Sequence, residues 1–326
     1  MKYFERGLFV LGAVLLIVLV AETGLGRLAA DVSLIGWGFV LVVAQEIIPH
    51  AANTLGWVFA TSPSQRHVPF MRLLAYRLVG DGINHLTPTA TIGGEFVRTR
   101  MIMPHVGVGE GTASVTIAKF AETAGQTLFI AGGLFVVLPF LPGLGPYRWV
   151  MFAVVAVSLV GIAWLGWMLR RGFFTFAAKI LSRLGIARTW LTQHAEQIKD
   201  VDMSIRDCTN NRPTDLILSI ACYGFAFAAS CVEVWLVLYF LGLPAPWYVV
   251  LGVEVLSVLI DAVMFFVPIK MGTQEGGKML IFKILTMDPA KGLAMGVIRR
   301  GRELFWALVG LVMYAVIRSR PAQEKT

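Results

Sequence analysis

Two stretches of this chain, 180 residues apart, carry the same charged and helix-breaking residues within largely apolar surroundings. Asp81 is followed by Pro88, Glu95 and Lys119, and Asp261 is followed at the same spacings by Pro268, Glu275 and Arg299. A charge inside hydrocarbon is costly, so it is kept where it lines a hydrated path or meets another charge. Proline at corresponding places in two halves marks interrupted helices, whose irregular backbone must line a cavity or be buried in protein. The pattern points to a transporter-like bundle of two related halves. The match is imperfect, since the same shift sets Asn84 against Met264, Gly93 against Thr273 and Glu122 against Arg302.

A membrane is the solvent that the rest of the chain demands. Of the 326 residues, 57% are hydrophobic and 15% are charged, with a mean hydropathy of +0.73. Several apolar runs are long enough to cross a hydrocarbon core of about 30 Å. The expected fold class is an all-α polytopic membrane protein with about eight transmembrane helices and two broken or re-entrant segments. Helices are predicted near 4–21, 34–60, 67–87, 108–139, 147–169, 214–241, 247–267 and 288–318. The short segments 88–105 and 268–286 open with proline and contain Gly93-Gly94 and Gly276-Gly277. One integral domain results, with a first repeat over 34–139, a connector helix and basic loop over 147–213, and a second repeat over 214–318. Lys2 and Arg6 before an apolar run resemble a signal peptide in outline, but Ala21 lacks a small-x-small context, so a retained first helix is expected.

Loop charge sets the orientation. Arg170, Arg171, Lys179, Arg183, Arg188, Lys199, Arg206 and Arg212 fall between two apolar helices, whereas the loops FLPGLGPY and GLPAPW carry no charge. Basic loops stay cytoplasmic, which places both termini inside and makes the two repeats inverted if each short segment completes a crossing. FFTFAAKILSRLG has the pattern of an amphipathic helix on the inner leaflet or of a solvated connector. The formal charge of +8 accordingly concerns topology and anionic lipid rather than nucleic acid. Cys208, Cys222 and Cys231 follow no metal or redox spacing.

The segment RLVGDGINHLTPTATIGGEFVRTRMI, the later VPIKMGTQEGGKMLIF and the Arg-bearing final helix resemble the flippase-like membrane domain family. That family includes the integral membrane half of bacterial lysylphosphatidylglycerol synthase/flippase and a branch associated with hopanoid biosynthesis. The resemblance covers roughly residues 5–318. It implies lipid translocation between leaflets of a bacterial inner membrane, with the family's proline, glycine and glutamate motif on Pro88, Gly94 and Glu95, and again on Pro268, Gly272 and Glu275. The soluble aminoacyl-transferase half has no counterpart in this sequence, so aminoacyl transfer is not expected.

Residue chemistry supports a polar path beside that resemblance. Lys119, Arg299, Arg300 and Arg302 can pair with a phosphate, and half-helix N-termini after Pro88 or Pro268 can donate N–H groups to the same anion. Glu95 and Glu275 would hold those cations while the path is empty. The expected substrate-binding set comprises Asp81, Asn84, Pro88, Gly94, Glu95, Lys119 and Glu122 in the first half. In the second half it comprises Asp261, Pro268, Lys270, Gly272, Glu275, Arg299 and Arg302. Lys119, Glu122 and Gln126 share a helix face, and Arg299 with Glu303 forms an i, i+4 pair. The competing reading makes these charges packing salt bridges.

Glu46, His50 and Asn53 read as a polar groove wall rather than a metal site. Glu233, Glu254 and Asp261 read as groove lining or proton-coupling carboxylates, and His85 as a helix-ending hydrogen bond. Trp57, Trp149, Trp247 and Tyr248 fit interface anchors. No catalytic residue, cofactor or metal is expected. The expected partners are a membrane lipid and the bilayer, with lipid-biosynthesis enzymes or a second copy as further candidates. The function read from all of this is a flippase for an anionic, amphipathic or isoprenoid-derived lipid, without enzymatic activity. The alternatives are a membrane-embedded lipid-modifying transferase, for which Asp81-Gly82 offers only a fragment of a multi-Asp motif, and a non-catalytic organiser of lipid synthesis.

Overall fold

A computed structural model describes residues 17–86, 92–184, 188–264, 267 and 272–319. Pro88, Pro268 and Lys270 lie outside the described residues, as does most of the first predicted helix. The described residues form helices and turns, with no strand among them.

Single residues explain the helix boundaries. The helix expected over 34–60 is divided into α2 (Gly38–Gln45) and α3 (Ile47–Ala60), because Pro49 has no N–H to give the Gln45 carbonyl. Ahead of it, Gly36 turns the chain with φ 45°, so that α1 (Leu25–Ser33) meets the α2–α3 pair at 76°. The open end of α3 is closed by Arg66, which donates to the carbonyls of Val58, Phe59 and Thr61 at 3.1, 3.2 and 3.0 Å. Next come α4 (Phe70–Leu86), α5 (Ile92–Val106) and α6 (Val108–Val137), the last two separated by Gly107 with φ 85°.

The connector begins with α7 (Arg148–Arg171), which ends at the left-handed Gly172. It continues as α8 (Phe173–Arg183), α9 (Arg188–Gln193) and α10 (Ala195–Arg206). Buried Asp202 accepts the N–H groups of Phe174 and Thr175 at 3.1 and 2.7 Å, fixing the first turn of α8. The amphipathic pattern forms as expected: Phe176, Ile180 and Leu184 are exposed along one side, with Lys179 and Arg183 exposed beside them. The second half contains α11 (Pro213–Ala229), α12 (Cys231–Phe240), α13 (Trp247–Val263), α14 (Thr273–Ile284) and α15 (Pro289–Ser319).

A shift of 180 residues carries α5 onto 272–286 and α6 onto 288–317, next to the observed bounds of α14 and α15. The packing is reciprocal as well. α6 packs on α13 and α15 on α4, while α3 packs on α11 and α2 on α12. Small residues permit the closest approaches. A Cβ on Gly82 would lie 2.8 Å from the Ala307 carbonyl oxygen, and one on Gly310 would collide with the Leu78 carbonyl, so α4 and α15 touch backbone to backbone.

Among the described residues, three stretches are long and apolar enough to cross a membrane, Val108–Phe140, Leu144–Arg171 and Pro213–Phe240, and the bent stretch from α1 to α3 counts as a fourth only if it is one broken span rather than a re-entrant loop. The expectation was about eight transmembrane helices. The remaining elements are short or charged: α4 and α13 have 17 residues each, and α15 carries Arg299, Arg300, Arg302 and Glu303 midway. Two apolar cores sit at opposite ends of α6. One takes Ala113 to Ala121 with Trp57 and Ile102, and the other takes Ile130 to Val137 with Val253 and Leu293. Lys119 and Glu122 lie on α6 at the end of the first core that faces the second.

Candidate functional site

The first polar cluster is built by α4, α5 and α6. Asp81 pairs with Arg98 and lies 3.6 Å from Arg77 Nε. Glu95 lies 3.7 Å from Arg98 and 3.5 Å from Lys119 Nζ. Glu122 lies 3.1 Å from Lys119 and 3.7 Å from Arg77, whose guanidinium also faces the Tyr223 ring. Asn84 clamps the start of α5: its Oδ1 accepts the Gly94 N–H at 2.6 Å and its Nδ2 donates to Glu95 at 3.3 Å. The structure therefore gathers Asp81, Asn84, Gly94, Glu95, Lys119 and Glu122 into one constellation. Arg77 and Arg98, its most buried cations, were absent from the expected set, although Arg77 and Asp81 are four residues apart and Glu95 and Arg98 three, spacings that place helix neighbours together.

This cluster opens into a groove. A cavity of 640 Å³ runs between α6, α7 and α13, with Lys119, Glu122, Gln126 and Asp261 at its polar part and residues such as Ile130 and Phe227 along its apolar wall. The shared face of Lys119, Glu122 and Gln126 thus lines this space, and Asp261 reaches it from the second half. Lys119 remains 42% exposed there despite its ion pairs. α7 covers the groove from outside and is itself peripheral, with only 11% of its apolar window buried.

The second cluster surrounds α15 and differs from expectation. Arg299 pairs with Glu233 at 2.8 Å and Glu254 at 2.6 Å, both buried, rather than with Glu303 one turn away. Glu303 instead lies 3.4 Å from Arg300 and accepts a hydrogen bond from Gln274 at 3.0 Å. Glu275 pairs with Arg300 at 3.1 Å, not with Arg299, and accepts the Gly272 N–H at 2.9 Å. Arg302 bridges Glu233, at 3.0 Å, and Glu46. Apart from the Arg300–Glu303 pair within α15, these partners come from other elements, where spacing along one helix carries no information. At the two half-helix N-termini, expected to offer N–H groups to an anion, the Gly94 and Gly272 N–H groups already have side-chain acceptors.

Other assignments divide. Glu46, His50 and Asn53 do line one polar cavity, of 170 Å³, shared with α4 and α15. His85 bonds through Nδ1 to the Asp81 carbonyl at 2.8 Å, a helix-end contact as expected. Trp149 is exposed and Trp247 largely so, but Trp57 is no interface anchor: it is 1% exposed and donates to Ser114 at 3.4 Å. All three cysteines are free thiols.

The model of one family, described as the lysylphosphatidylglycerol synthase TM region, matches residues 7–310 of the chain. Nothing among curated proteins or solved structures matches it.

Proposed function

The chain belongs to the family of the lysylphosphatidylglycerol synthase transmembrane region, and from that premise we propose that it is a flippase, moving an anionic, amphipathic or isoprenoid-derived lipid between leaflets without modifying it. The observation that carries this reading is the groove of 640 Å³ with its charged part and apolar wall. Small-molecule sites measure roughly 300–1,000 Å³, so the groove suits a headgroup and the start of a chain while the rest stays in the bilayer. Lys119 supplies a cation that can exchange Glu95 and Glu122 for a phosphate. α7, loosely held, is the element that would admit lipid sideways.

Moving a bare headgroup charge through hydrocarbon costs from about 3 to more than 10 kcal/mol, and a polar groove removes most of that barrier. Inverted repeats exchanging partners would expose the groove to each leaflet in turn. The site is proposed to lie in a bacterial inner membrane with both termini cytoplasmic, and a link to hopanoid or envelope-lipid synthesis is the narrower form of the same proposal. The test is a leaflet-accessibility assay in proteoliposomes carrying labelled anionic, zwitterionic and isoprenoid-derived lipids. One class should move faster than in protein-free vesicles, and uniform immobility of all three would reject transport.

A further inference from the structure

Among the described residues, ion pairing around α15 leaves more carboxylates than cations. Arg299, Arg300 and Arg302 are paired with five carboxylates, those of Glu46, Glu233, Glu254, Glu275 and Glu303. Among the described residues, Lys278, buried on α14, is a further cation facing this group, and it faces Asp261 as well as Glu254 and Glu303. Including Lys278 still leaves at least one carboxylate in excess among the described residues. In the first cluster the count closes, with Arg77, Arg98 and Lys119 against Asp81, Glu95 and Glu122. A buried carboxylate without a counter-charge is neutralised rather than tolerated.

Two of the five acids, Glu46 and Glu303, line the 170 Å³ cavity between α3, α4 and α15. An independent observation points into the same space. His50 is buried there, its Nε2 has no hydrogen-bond partner among the described residues, and its Nδ1 lies 3.8 Å from Asp81. We propose that this cavity is a proton-binding site, in which Glu46 holds the proton and His50 receives it when it leaves. Transfer of the proton from the Glu46 carboxyl to His50 Nε2 leaves a carboxylate facing Arg302 and an imidazolium facing Asp81.

A proton suits the remaining acceptors better than a metal ion. Glu46 Oε2 is already used by Arg302 and by Gln45 at 3.2 Å, and Glu303 by Arg300 and Gln274. A hard metal ion wants about six oxygen ligands, whereas a proton needs one lone pair. The groups facing Glu46 are Arg302 and Arg299 on α15, Glu233 on α12 and Glu254 on α13. Those facing His50 are Arg77, Asp81 and His85 on α4 and Arg302 on α15. Glu46 stands at the break between α2 and α3, so protonating it releases Arg302 from the first half and leaves that guanidinium to Glu233. Under the flippase reading, on which this consequence rests, proton binding loosens one contact between the halves.

Infrared spectroscopy of the purified full-length protein tests the site without requiring transport. A protonated-carboxyl band should be present at neutral pH, disappear in alkali, be lost in Glu46→Gln and shift in Glu46→Asp. Wild-type protein without such a band overturns the proposal, as does a band that both variants leave unchanged. In proteoliposomes a pH gradient should accelerate wild-type lipid movement several-fold and a sodium gradient should not. Lipid moving equally fast without the pH gradient would remove the coupling while leaving transport intact. No lipid movement under any gradient would reject transport, and the infrared band would still decide the proton site.

Discussion

The clusters around Lys119 and Arg299 occupy corresponding places in the two halves, yet their surroundings differ. Lys119 keeps two carboxylates within 3.5 Å and still faces open space in the groove. Arg299 is enclosed, with Glu233 and Glu254 buried against it. A cation at the rim of a cavity can trade its partners for a ligand at little cost, because solvent screens the exchange. A cation sealed between two acids cannot, since removing it strands their charge. Positions 180 residues apart carry a cation in each half, and packing leaves one facing a cavity and encloses the other among acids.

The strongest challenge to that distinction is Arg299→Met. It should cost about 3–5 kcal/mol by taking from buried Glu254 its ion-pair partner and leaving Glu233 to Arg302 alone. The expected result is a large fall in melting temperature and in membrane-inserted yield, with most of the loss recovered when Glu233→Gln and Glu254→Gln are added. A variant as stable as wild type would show that Arg299 is not a structural tie. Next in size is Gly310→Ala, whose new methyl must push α15 away from the Leu78 carbonyl at a cost of about 1–3 kcal/mol. Thermal melting measures it, and an unchanged midpoint would deny the close contact of α4 and α15.

Those two predictions depend on contacts that the sequence alone did not disclose. The 180-residue spacing, the presence of short segments within 88–105 and 268–286, and the common face of Lys119, Glu122 and Gln126 were legible because they are properties of spacing, whereas the helix bounds Ile92–Val106 and Thr273–Ile284 were not among the expectations. The partners of Arg299 were not, since Glu233 and Glu254 reach it from two other helices. Pairing it with Glu303 used a local rule where tertiary packing decided. Trp57 misled for a related reason. A tryptophan near a helix end suits an interface, but α3 packs against α11 and α6 and buries it. The break at Glu46 was foretold by Pro49, which the uninterrupted 34–60 helix passed over.

Smaller effects on stability sharpen the other side of the comparison. Lys119→Met should change stability by no more than about 1 kcal/mol, as expected for a partly exposed ion pair. Lipid movement should nevertheless fall at least tenfold, or about 1.4 kcal/mol in barrier. Melting and flipping assayed on the same preparation separate the two outcomes, and loss of folding together with flipping would put Lys119 in the same class as Arg299. Asp261→Asn should have the least effect on folding and a modest one on headgroup preference, seen as a changed ratio between anionic and zwitterionic lipid rates. An unchanged ratio would leave Asp261 outside headgroup recognition.

The central claim is that the space between α6, α7 and α13 receives lipid. It is tested most directly by placing a photoreactive benzophenone side chain at Ile162, which lines the groove, and at Val157, which is 73% exposed on the outside of the same helix. After illumination in native membranes, lipid captured at Ile162 should be enriched in one headgroup class and lose that enrichment in Lys119→Met, while capture at Val157 should mirror the bulk bilayer. Bulk composition at both positions, unchanged by Lys119→Met, would contradict the groove as a lipid site.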